Sequence, residues 1–516
     1  MPSARSMGCP AAGLLKAATV SGRVDGLLGG RAPPNPLERR MSKVFQKNWR
    51  VGAGPSDTHI LPGLRLQTEG DSAVLYNSTA EQTFYIQLEP SGFSLWSCLK
   101  QLLDGTHPRL NVEAIRHHLR FGETVNHRLV WAGVHLLLPG SRLTLGPAGV
   151  TGRYAPWTRG GEAYDESVIG NPATILRAAL PSEDHQVVLE FSGGTDSTAI
   201  AYALAGRDKV QAITWVDPNT LGASDIQHAK HIARKLGLPH RLASMAPEHL
   251  FRLPAGTYWP DRPSLSLFSQ DINDRLIREA AGEGAPTVVL NGHGGDHIFL
   301  DPPSPAPVVD LLARGRVAEA LRYYRTLVTF HGQGFLTPLR YRKLGQGIGK
   351  PDFTLTPGKR LHRRMIQQAC YENSIWNNCG LPYKLIHPFT HPAMLRYALS
   401  HPPHAYVGER QSRLPFRQAM NTHHGTDDFS RVSKGHLTGV FQRAIRLQHD
   451  ALAGLLEQGT GQALALFAAG EMLMLLKRAA SGSEEVSPVL LNALSLELFL
   501  QHWARILGVS TWQTAT

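Results

Sequence analysis

Two short glycine-rich stretches carry the residues whose types and spacing suit chemistry. The first reads Ser-Gly-Gly-Thr-Asp-Ser over residues 192–197 and directly follows an apolar run that ends at Phe191. The apolar run predicts a buried strand, the glycines predict a tight turn, and Ser197 is predicted to open an Ala-rich helix. Such a junction leaves backbone N–H groups unpaired at the positive end of a helix dipole. This arrangement favours the binding of a phosphate group.

The second stretch, Asn291-Gly292-His293-Gly294-Gly295-Asp296-His297, follows another apolar run that begins at Thr287. It places the carboxylate of Asp296 at the end of a predicted strand, as Asp196 is placed at the end of the first. Two carboxylates at adjacent strand ends suit Mg²⁺, a hard cation that also bridges phosphate oxygens. We therefore predict Asp196 and Asp296 as metal ligands. The alternative role of Asp296 is that of a helix cap or turn residue.

Two histidines flank Asp296 in the second stretch. His293 can accept a proton from an attacking amine near neutral pH, or it can form a neutral hydrogen-bonding wall. His293, His297 and Asp296 lack further clustered ligands, so a zinc site is not expected. Four later histidines are expected at helix caps or on the surface because their spacing fits no ligand set: His387, His391, His401 and His404.

The elements around both stretches predict a parallel sheet with helices on both faces. Strand-like runs begin at Val187, Val210, Arg241 and Thr287, and helical runs lie between them, over 224–236 and 272–281. This alternation is typical of α/β proteins. Ligands of such sheets bind beyond the carboxyl ends of the strands, so we expect both glycine loops to open onto one crevice.

The remaining segments predict a separate domain before this sheet region and a mostly helical C-terminal part within the same domain as the sheet. Apolar residues recur at helical spacing in the C-terminal part, over 308–321, 361–371, 441–455 and 490–507. The N-terminal part predicts strands over 73–77 and 83–88, a helix over 112–119, and two strands around a Pro-Gly turn within 129–149. We predict a disordered or non-native extension over 1–43, a first domain over 44–160, and a second over 165–516.

The first loop is not a Walker loop, because no G-K-[S/T] follows its glycines. Its sequence Ser-Gly-Gly-Thr-Asp-Ser instead resembles the pyrophosphate loop of the ATP pyrophosphatase (PP-loop) superfamily. That resemblance implies cleavage of ATP to AMP and pyrophosphate. The second loop is similar to the Ser-Gly-Glu-Gly-Ala-Asp-Glu loop of asparagine synthetases, with histidines in place of both glutamates. The cofactor-binding residues implied are Ser192, Gly193, Gly194, Thr195, Asp196, Ser197 and Gly292, and the catalytic residues are His293, Lys434 and Asp296.

Lys434 enters this set because the segment 413–441 resembles the closing basic segment of asparagine synthetases. A lysine there neutralises negative charge on the phosphates and on the transition state. The same resemblance implies an α/β fold in which an N-terminal α+β glutaminase-like (Ntn-type) sandwich precedes the PP-loop domain. Asparagine synthetases expose a cysteine after the initiator Met, whereas Pro2, Gly8 and Ser42 follow the first three methionines here. We therefore expect no glutamine hydrolysis.

The run GHGGDHIF, followed by Pro302-Pro303, and the missing cysteine resemble the lasso peptide macrolactam synthetases. This narrower resemblance implies an enzyme that uses ATP and Mg²⁺ to adenylate an Asp or Glu side chain of a precursor peptide. Closure of the ring with the N-terminal amine of the peptide would follow. A leader-peptide protease is the implied partner. The alternatives are a small-molecule amide synthetase, an RNA-modifying PP-loop enzyme and a non-catalytic ATP-binding protein.

The charge, hydropathy and cysteine pattern of the chain bear on which of these functions is expected. The chain has 516 residues, 18% charged residues and a net charge of +12, of which +4 falls within residues 1–40 (six Lys and Arg against Asp25 and Glu38). The remaining charge is dispersed, which favours a solvated surface over a nucleic-acid partner. No apolar run approaches the about 20 residues of a membrane span, so no membrane association is expected. The four cysteines form no C-x-x-C pair, which fits the reducing cytoplasm.

Overall fold

The computed structural model of the chain describes residues 43–48, 56–69, 72–79, 81–90, 92–146, 149–158, 170–217, 219, 224–282, 286–331, 354–377, 379–431, 438–483 and 485–515. Lys434 lies outside these ranges, and so does the predicted extension up to residue 42. In the part of the chain that is described, no helix combines the length and the apolar character needed to cross a bilayer.

The N-terminal part forms two antiparallel sheets that face each other. One has the order β1-β6-β5-β7 and the other β2-β3-β4-β8-β9. Alternate side chains of the facing strands, such as Leu66 and Leu75 opposite Phe84 and Ile86, fill a shared apolar core. The strands are β1 (Lys43–Asn48), β2 (Ser56–Leu61), β3 (Leu64–Glu69), β4 (Ser72–Asn77), β5 (Phe84–Glu89), β6 (Gly92–Trp96), β7 (Val134–Leu137), β8 (Ser141–Gly146) and β9 (Gly149–Tyr154). The glutaminase-like identity of this sandwich stays a prediction.

The sheet that carries both glycine loops is parallel throughout, as predicted. Its order is β12-β11-β10-β13-β14, so the strands preceding the two loops, β10 and β13, are direct neighbours. Both are almost entirely buried and rich in valine, as strands covered on two faces are. The strands are β10 (Gln186–Glu190), β11 (Val210–Val216), β12 (His240–Ser244), β13 (Thr287–Leu290) and β14 (Lys384–Ile386).

Helices account for most of the remaining described structure. The first seven are α1 (Leu99–Leu103), α2 (Val112–Phe121), α3 (Pro172–Ala178), α4 (Thr195–Leu204), α5 (Ser224–Lys235), α6 (Gln270–Ala281) and α7 (Gly295–Ile298). The C-terminal ones are α8 (Ala306–Leu312), α9 (Val317–His331), α10 (Pro357–Asn373), α11 (Pro392–Ser400), α12 (Leu414–His424), α13 (Thr438–Leu447), α14 (His449–Gln458), α15 (Thr460–Ala463), α16 (Ala469–Ser481) and α17 (Pro488–Leu507).

Three helix boundaries differ from the sequence-based expectation. Helix α4 begins at Thr195 rather than Ser197, because Gly194 already takes the N-cap position. The apolar period over 308–321 spans two helices, and Gly315, at a left-handed φ of +70°, lies in the turn between them. The period over 441–455 is likewise divided, at Gln448. In both cases the apolar spacing persists across a turn, so periodicity alone conceals the break.

The N-terminal sheets are held against the rest of the chain by a seam of buried side chains. The indole of Trp131 lies 5.4 Å from the ring of Trp503 and 5.7 Å from that of Phe499, both on α17. Glu123, which follows α2, accepts hydrogen bonds from the hydroxyl of Ser264 (2.7 Å) and the backbone N–H of Leu265 (2.8 Å). The carboxylate of Glu123 therefore reaches the wall of the region described next.

Candidate active site

The first glycine loop folds as a compact turn whose own hydroxyl groups shape it. The Ser197 hydroxyl lies 3.1 Å from the Ser192 hydroxyl, and it accepts a hydrogen bond from the Ser192 backbone N–H at 3.2 Å. Gly193 has a φ of +70°, and a Cβ there would lie 2.9 Å from the backbone nitrogen of Ala229, so only glycine fits. Ser192 is exposed, so the turn and the start of α4 open to solvent.

The second loop packs directly onto the first. A Cβ at Gly292 would lie 2.8 Å from the Cβ of Asp196, and a Cβ at Gly295 would lie 2.5 Å from the Cγ of Asp196. Gly294 adopts a φ of +96°, which turns the chain into the short helix α7. The glycines of the second loop therefore make room for the carboxylate of the first, and both loops border one site.

One buried guanidinium joins the two predicted metal ligands. The Nη1 atom of Arg413 donates to both carboxylate oxygens of Asp196, at 2.6 and 2.7 Å, and its Nη2 atom donates to Asp296. Asp301, a third carboxylate, accepts from Nη2 at 2.5 Å and from Nε at 3.0 Å. The side chain of Arg413 is only 3% exposed. Asp196 and Asp296 therefore converge on one point, as the sequence predicted.

The carboxylates around Arg413 fit a divalent cation. Three acidic groups surround one guanidinium, which leaves an excess of negative charge and of oxygen ligands at the strand tips. Among the residues described, no set of three or more His, Cys, Asp or Glu side chains is arranged around a metal position. Mg²⁺ requires only one or two carboxylates when water and phosphate oxygens complete its shell. The pair Asp196 and Asp296 would hold such an ion.

A second polar cluster lies beside this site and contains the predicted histidine. The Nδ1 atom of His293 bonds the side-chain oxygen of Asn373, so Nδ1 carries the proton in the neutral tautomer. Its Nε2 atom lies 3.5 Å from Oε2 of Glu372, and Nε2 of His297 lies 3.7 Å from the same oxygen. Burial, and then the nearby Glu123, raise the pKa of Glu372 to about 8. Glu372 therefore keeps its proton at neutral pH.

A small, partly open cavity of about 60 Å³ adjoins the cluster. Its lining includes His293, Glu372, Asn273 and His387. Among the described residues, the side-chain oxygen of Asn273 and Nε2 of His387 are buried and have no hydrogen-bond partner. The Nδ1 atom of His387 bonds Asn291 at 2.6 Å, and burial lowers the pKa of His387 to about 3. The cavity thus presents acceptor atoms to whatever occupies it.

The segment that contains both glycine loops matches a known protein family. Residues 176–332 match the asparagine synthase family. An asparagine synthase domain is therefore present in this segment, and it includes both glycine loops and the strands β10 and β13 that precede them.

Two curated relatives match a shorter stretch. Over 122 residues, 23% of the chain, it is 35% identical to the 7-cyano-7-deazaguanine synthases of Leptospira interrogans serovars copenhageni and Lai. The match covers 50% of each relative, so the chain spans about half the length of the curated relatives it matches.

The structure adds residues to the site that the sequence did not indicate. Arg413 lies within the basic segment recognised by resemblance, but nothing in its neighbours shows that it reaches Asp196. Asp301 follows Asp296 by only five residues, and that short spacing is a usable signal. Glu372 enters from α10 and has no motif around it. His387, expected at a cap or on the surface, instead lines the cavity, whereas His391 caps α11 as expected.

We expect Gly295→Ala to weaken nucleotide binding about tenfold or more, because its Cβ would displace the carboxylate of Asp196. Binding of the α,β-methylene analogue of ATP with Mg²⁺, followed by calorimetry, measures the effect. Gly454→Ala is the matched control: a Cβ there meets nothing within 4 Å, and alanine favours the helix. Unchanged nucleotide affinity in Gly295→Ala would contradict the contact between the loops.

We expect Glu372→Gln to remove a pH dependence of stability. The folded protein keeps the Glu372 proton up to about pH 8, whereas an ordinary glutamate loses it near 4.5. Between these values the folded state binds more protons, so the free energy of unfolding of the wild type falls as the pH rises. Between pH 5 and pH 8 the free energy of unfolding of the wild type, measured with urea, should fall by roughly 3 kcal/mol more than that of Glu372→Gln.

The groups that face Glu372 are Gln368, His293, His297, Glu123 and Arg262. The exposed Glu457→Gln on α14 serves as the control and should keep the wild-type slope. Equal slopes in the wild type and Glu372→Gln would mean that Glu372 is already ionised at pH 5.

Proposed function

We propose that the protein is an ATP-dependent amide ligase that adenylates a carboxylate, transfers the acyl group to an amine, and releases AMP and pyrophosphate. The observation that carries this proposal is the convergence of Asp196 and Asp296 on one point at the tips of two neighbouring parallel strands. The asparagine synthase match over both loops supports the same reaction class. The free state of the three described cysteines, Cys98, Cys370 and Cys379, suits the cytoplasm as the site of action.

In this proposal the first loop binds the pyrophosphate portion of the nucleotide. The backbone N–H groups of the turn and of the start of α4, together with the exposed side chain of Ser192, would hold the anionic oxygens. Asp196 and Asp296 hold Mg²⁺. When bound, ATP supplies the adenylyl group and Mg²⁺ neutralises charge on the phosphates. Lys434 stays a proposed catalytic residue on the strength of its resemblance alone.

His293 is the proposed proton acceptor for the attacking amine. Asn373 fixes the proton on Nδ1, so that Nε2 is the atom that takes up the amine proton. Oε2 of Glu372 lies 3.5 Å from Nε2, so a positive charge on the imidazole would lower the pKa of the Glu372 carboxyl by favouring its ionised form. The acceptor atoms of Asn273 and His387 in the neighbouring cavity suit an amine, whose N–H groups are donors.

For the substrate we propose a precursor peptide whose Asp or Glu side chain is joined to its own N-terminal amine. The support is the resemblance of the second loop to lasso peptide macrolactam synthetases. Ring closure of an activated acid is chiefly an entropic problem, and holding both ends of the peptide in reacting geometry lowers the barrier. A protease that removes a leader segment, and so liberates that amine, is the proposed partner.

A small-molecule amide synthetase is the second candidate, and the cavity favours it. A cavity volume of about 60 Å³ is small, which suits ammonia or a short primary amine. The deazaguanine products named for the relatives from Leptospira interrogans are also small molecules.

We expect Asp196→Asn and Asp296→Asn each to lower pyrophosphate release at least about 100-fold while the far-ultraviolet circular dichroism stays unchanged. Each substitution removes charge from a proposed Mg²⁺ ligand without changing the side-chain shape. Asp184→Asn, an exposed change next to β10, is the control and should keep wild-type release. Wild-type turnover in both site variants would refute the metal assignment.

The two substrate classes are separated by mass spectrometry of reactions with ATP and Mg²⁺. We expect a linear peptide with a free N-terminal glycine and an internal Asp or Glu to lose one water and to yield one AMP per ring. The same peptide with an acetylated N-terminus is the matched control and should not cyclise. Turnover only with ammonium or methylamine and a small carboxylic acid would favour the small-molecule synthetase.

A further inference from the structure

All three nitrogens of the Arg413 guanidinium donate to carboxylates. Nε donates to Asp301, Nη1 donates twice to Asp196, and Nη2 is shared between Asp296 and Asp301. The planar fork of arginine matches carboxylates in this two-point manner, which a lysine ammonium cannot reproduce. Arg413 thus occupies the position between the two carboxylates to which Mg²⁺ has been assigned.

The backbone of Arg413 is also specialised. Its φ of +63° and ψ of +30° lie in the left-handed region, which residues other than glycine rarely adopt. The residue precedes Leu414 and Pro415, where α12 begins, and the position has no side-chain cap. Contacts of the side chain therefore hold this conformation, and such strain commonly marks functional positions.

We propose that Arg413 is a resident counter-cation that excludes free divalent ions from Asp196 and Asp296, so that this pair accepts a metal ion only together with a nucleotide. The inference rests on the metal assignment of the proposed function. A guanidinium and a divalent ion compete for the same oxygens, because Nη1 engages both oxygens of Asp196. The phosphates of a nucleotide add ligands for the ion, which tips the competition toward the metal.

Asp301 gives the displaced guanidinium a place to remain. It binds Arg413 through two nitrogens, Nε and Nη2, whereas Asp296 binds through one. Asp301 is the more exposed of the two partners, at 22% against 13%. Arg413 is accordingly a positioning residue. When Asp196 binds the metal, the hydrogen bonds to Asp301 would keep the Arg413 side chain in place.

The test measures Mn²⁺ binding to the full-length protein by electron paramagnetic resonance, with and without the α,β-methylene analogue of ATP. We expect the wild type to bind Mn²⁺ weakly alone and at least about tenfold more tightly with the analogue. Arg413→Gln should bind Mn²⁺ without nucleotide roughly tenfold or more tightly than the wild type, because two carboxylates then lack their counter-charge.

Thermal unfolding gives a second readout that is independent of turnover. In Arg413→Gln the melting temperature should fall in EDTA and recover in part when MgCl₂ is added, because the ion replaces the lost charge. Arg262→Gln is the matched control: this buried arginine pairs with Asp261 at 2.7 Å, donates to the backbone carbonyl of Tyr371, and has Asp261 and Glu123 as its charged partners rather than the carboxylates around Arg413. Its loss of stability should not respond to MgCl₂.

If Arg413→Gln does not fold, Arg413→Lys is the variant to test. It keeps the charge but offers three donors without the planar fork, so we expect a gain in Mn²⁺ affinity that is smaller than the gain expected for Arg413→Gln. Equal nucleotide-free affinity in the wild type and in the folded variant would overturn the inference about Arg413. Failure of the wild type to bind Mn²⁺ even with the analogue would instead overturn the metal assignment in the proposed function. The two failures are therefore distinguishable.

Discussion

The site depends on bringing negative charges together at the tips of two neighbouring strands. Asp196 and Asp296 follow β10 and β13, and Asp301 joins them within the same few residues of chain. Like charges this close and this buried repel unless a cation lies among them. In this structure Arg413 is such a cation, and removing a partner of this kind from a buried cluster typically costs about 3–5 kcal/mol. The packing of the two glycine loops follows from this requirement.

In the neighbouring cluster of His293 and Glu372, burial favours uncharged side chains, whereas around Arg413 opposite charges are paired. There the charge is reduced rather than balanced, because burial raises the pKa of Glu372 and lowers that of His387. An acceptor-rich cavity thus lies beside a strongly charged site. In the proposed reaction, the charged groups would bind the phosphate and the metal, whereas the acceptor atoms and a proton acceptor would bind the amine.

The N-terminal sheets take part in this second region. Glu123 lies in the cavity wall, and its backbone oxygen accepts from Gln368, which also bonds Glu372. The Trp131 seam with α17 holds the sandwich in position. The N-terminal part therefore has a structural role toward the site that does not depend on any activity of its own.

The sequence by itself determined the local elements. Buried valine-rich runs specified β10 and β13, glycines specified the turns after them, and Asp196 and Asp296 were recognisable because each follows a strand directly. Local rules act over a few residues, and these features lie within a few residues. The sequence did not predict the helix breaks at Gly315 and Gln448, because the apolar spacing continues across them.

Only the tertiary structure decided that Arg413, Asp301, Glu372 and His387 belong to the site. They lie shortly after α7, on α10, directly before α12 and directly after β14, and no local pattern encodes which distant cation meets a carboxylate. Burial then decided their protonation, because desolvation depends on what surrounds a group in space and not on its neighbours along the chain.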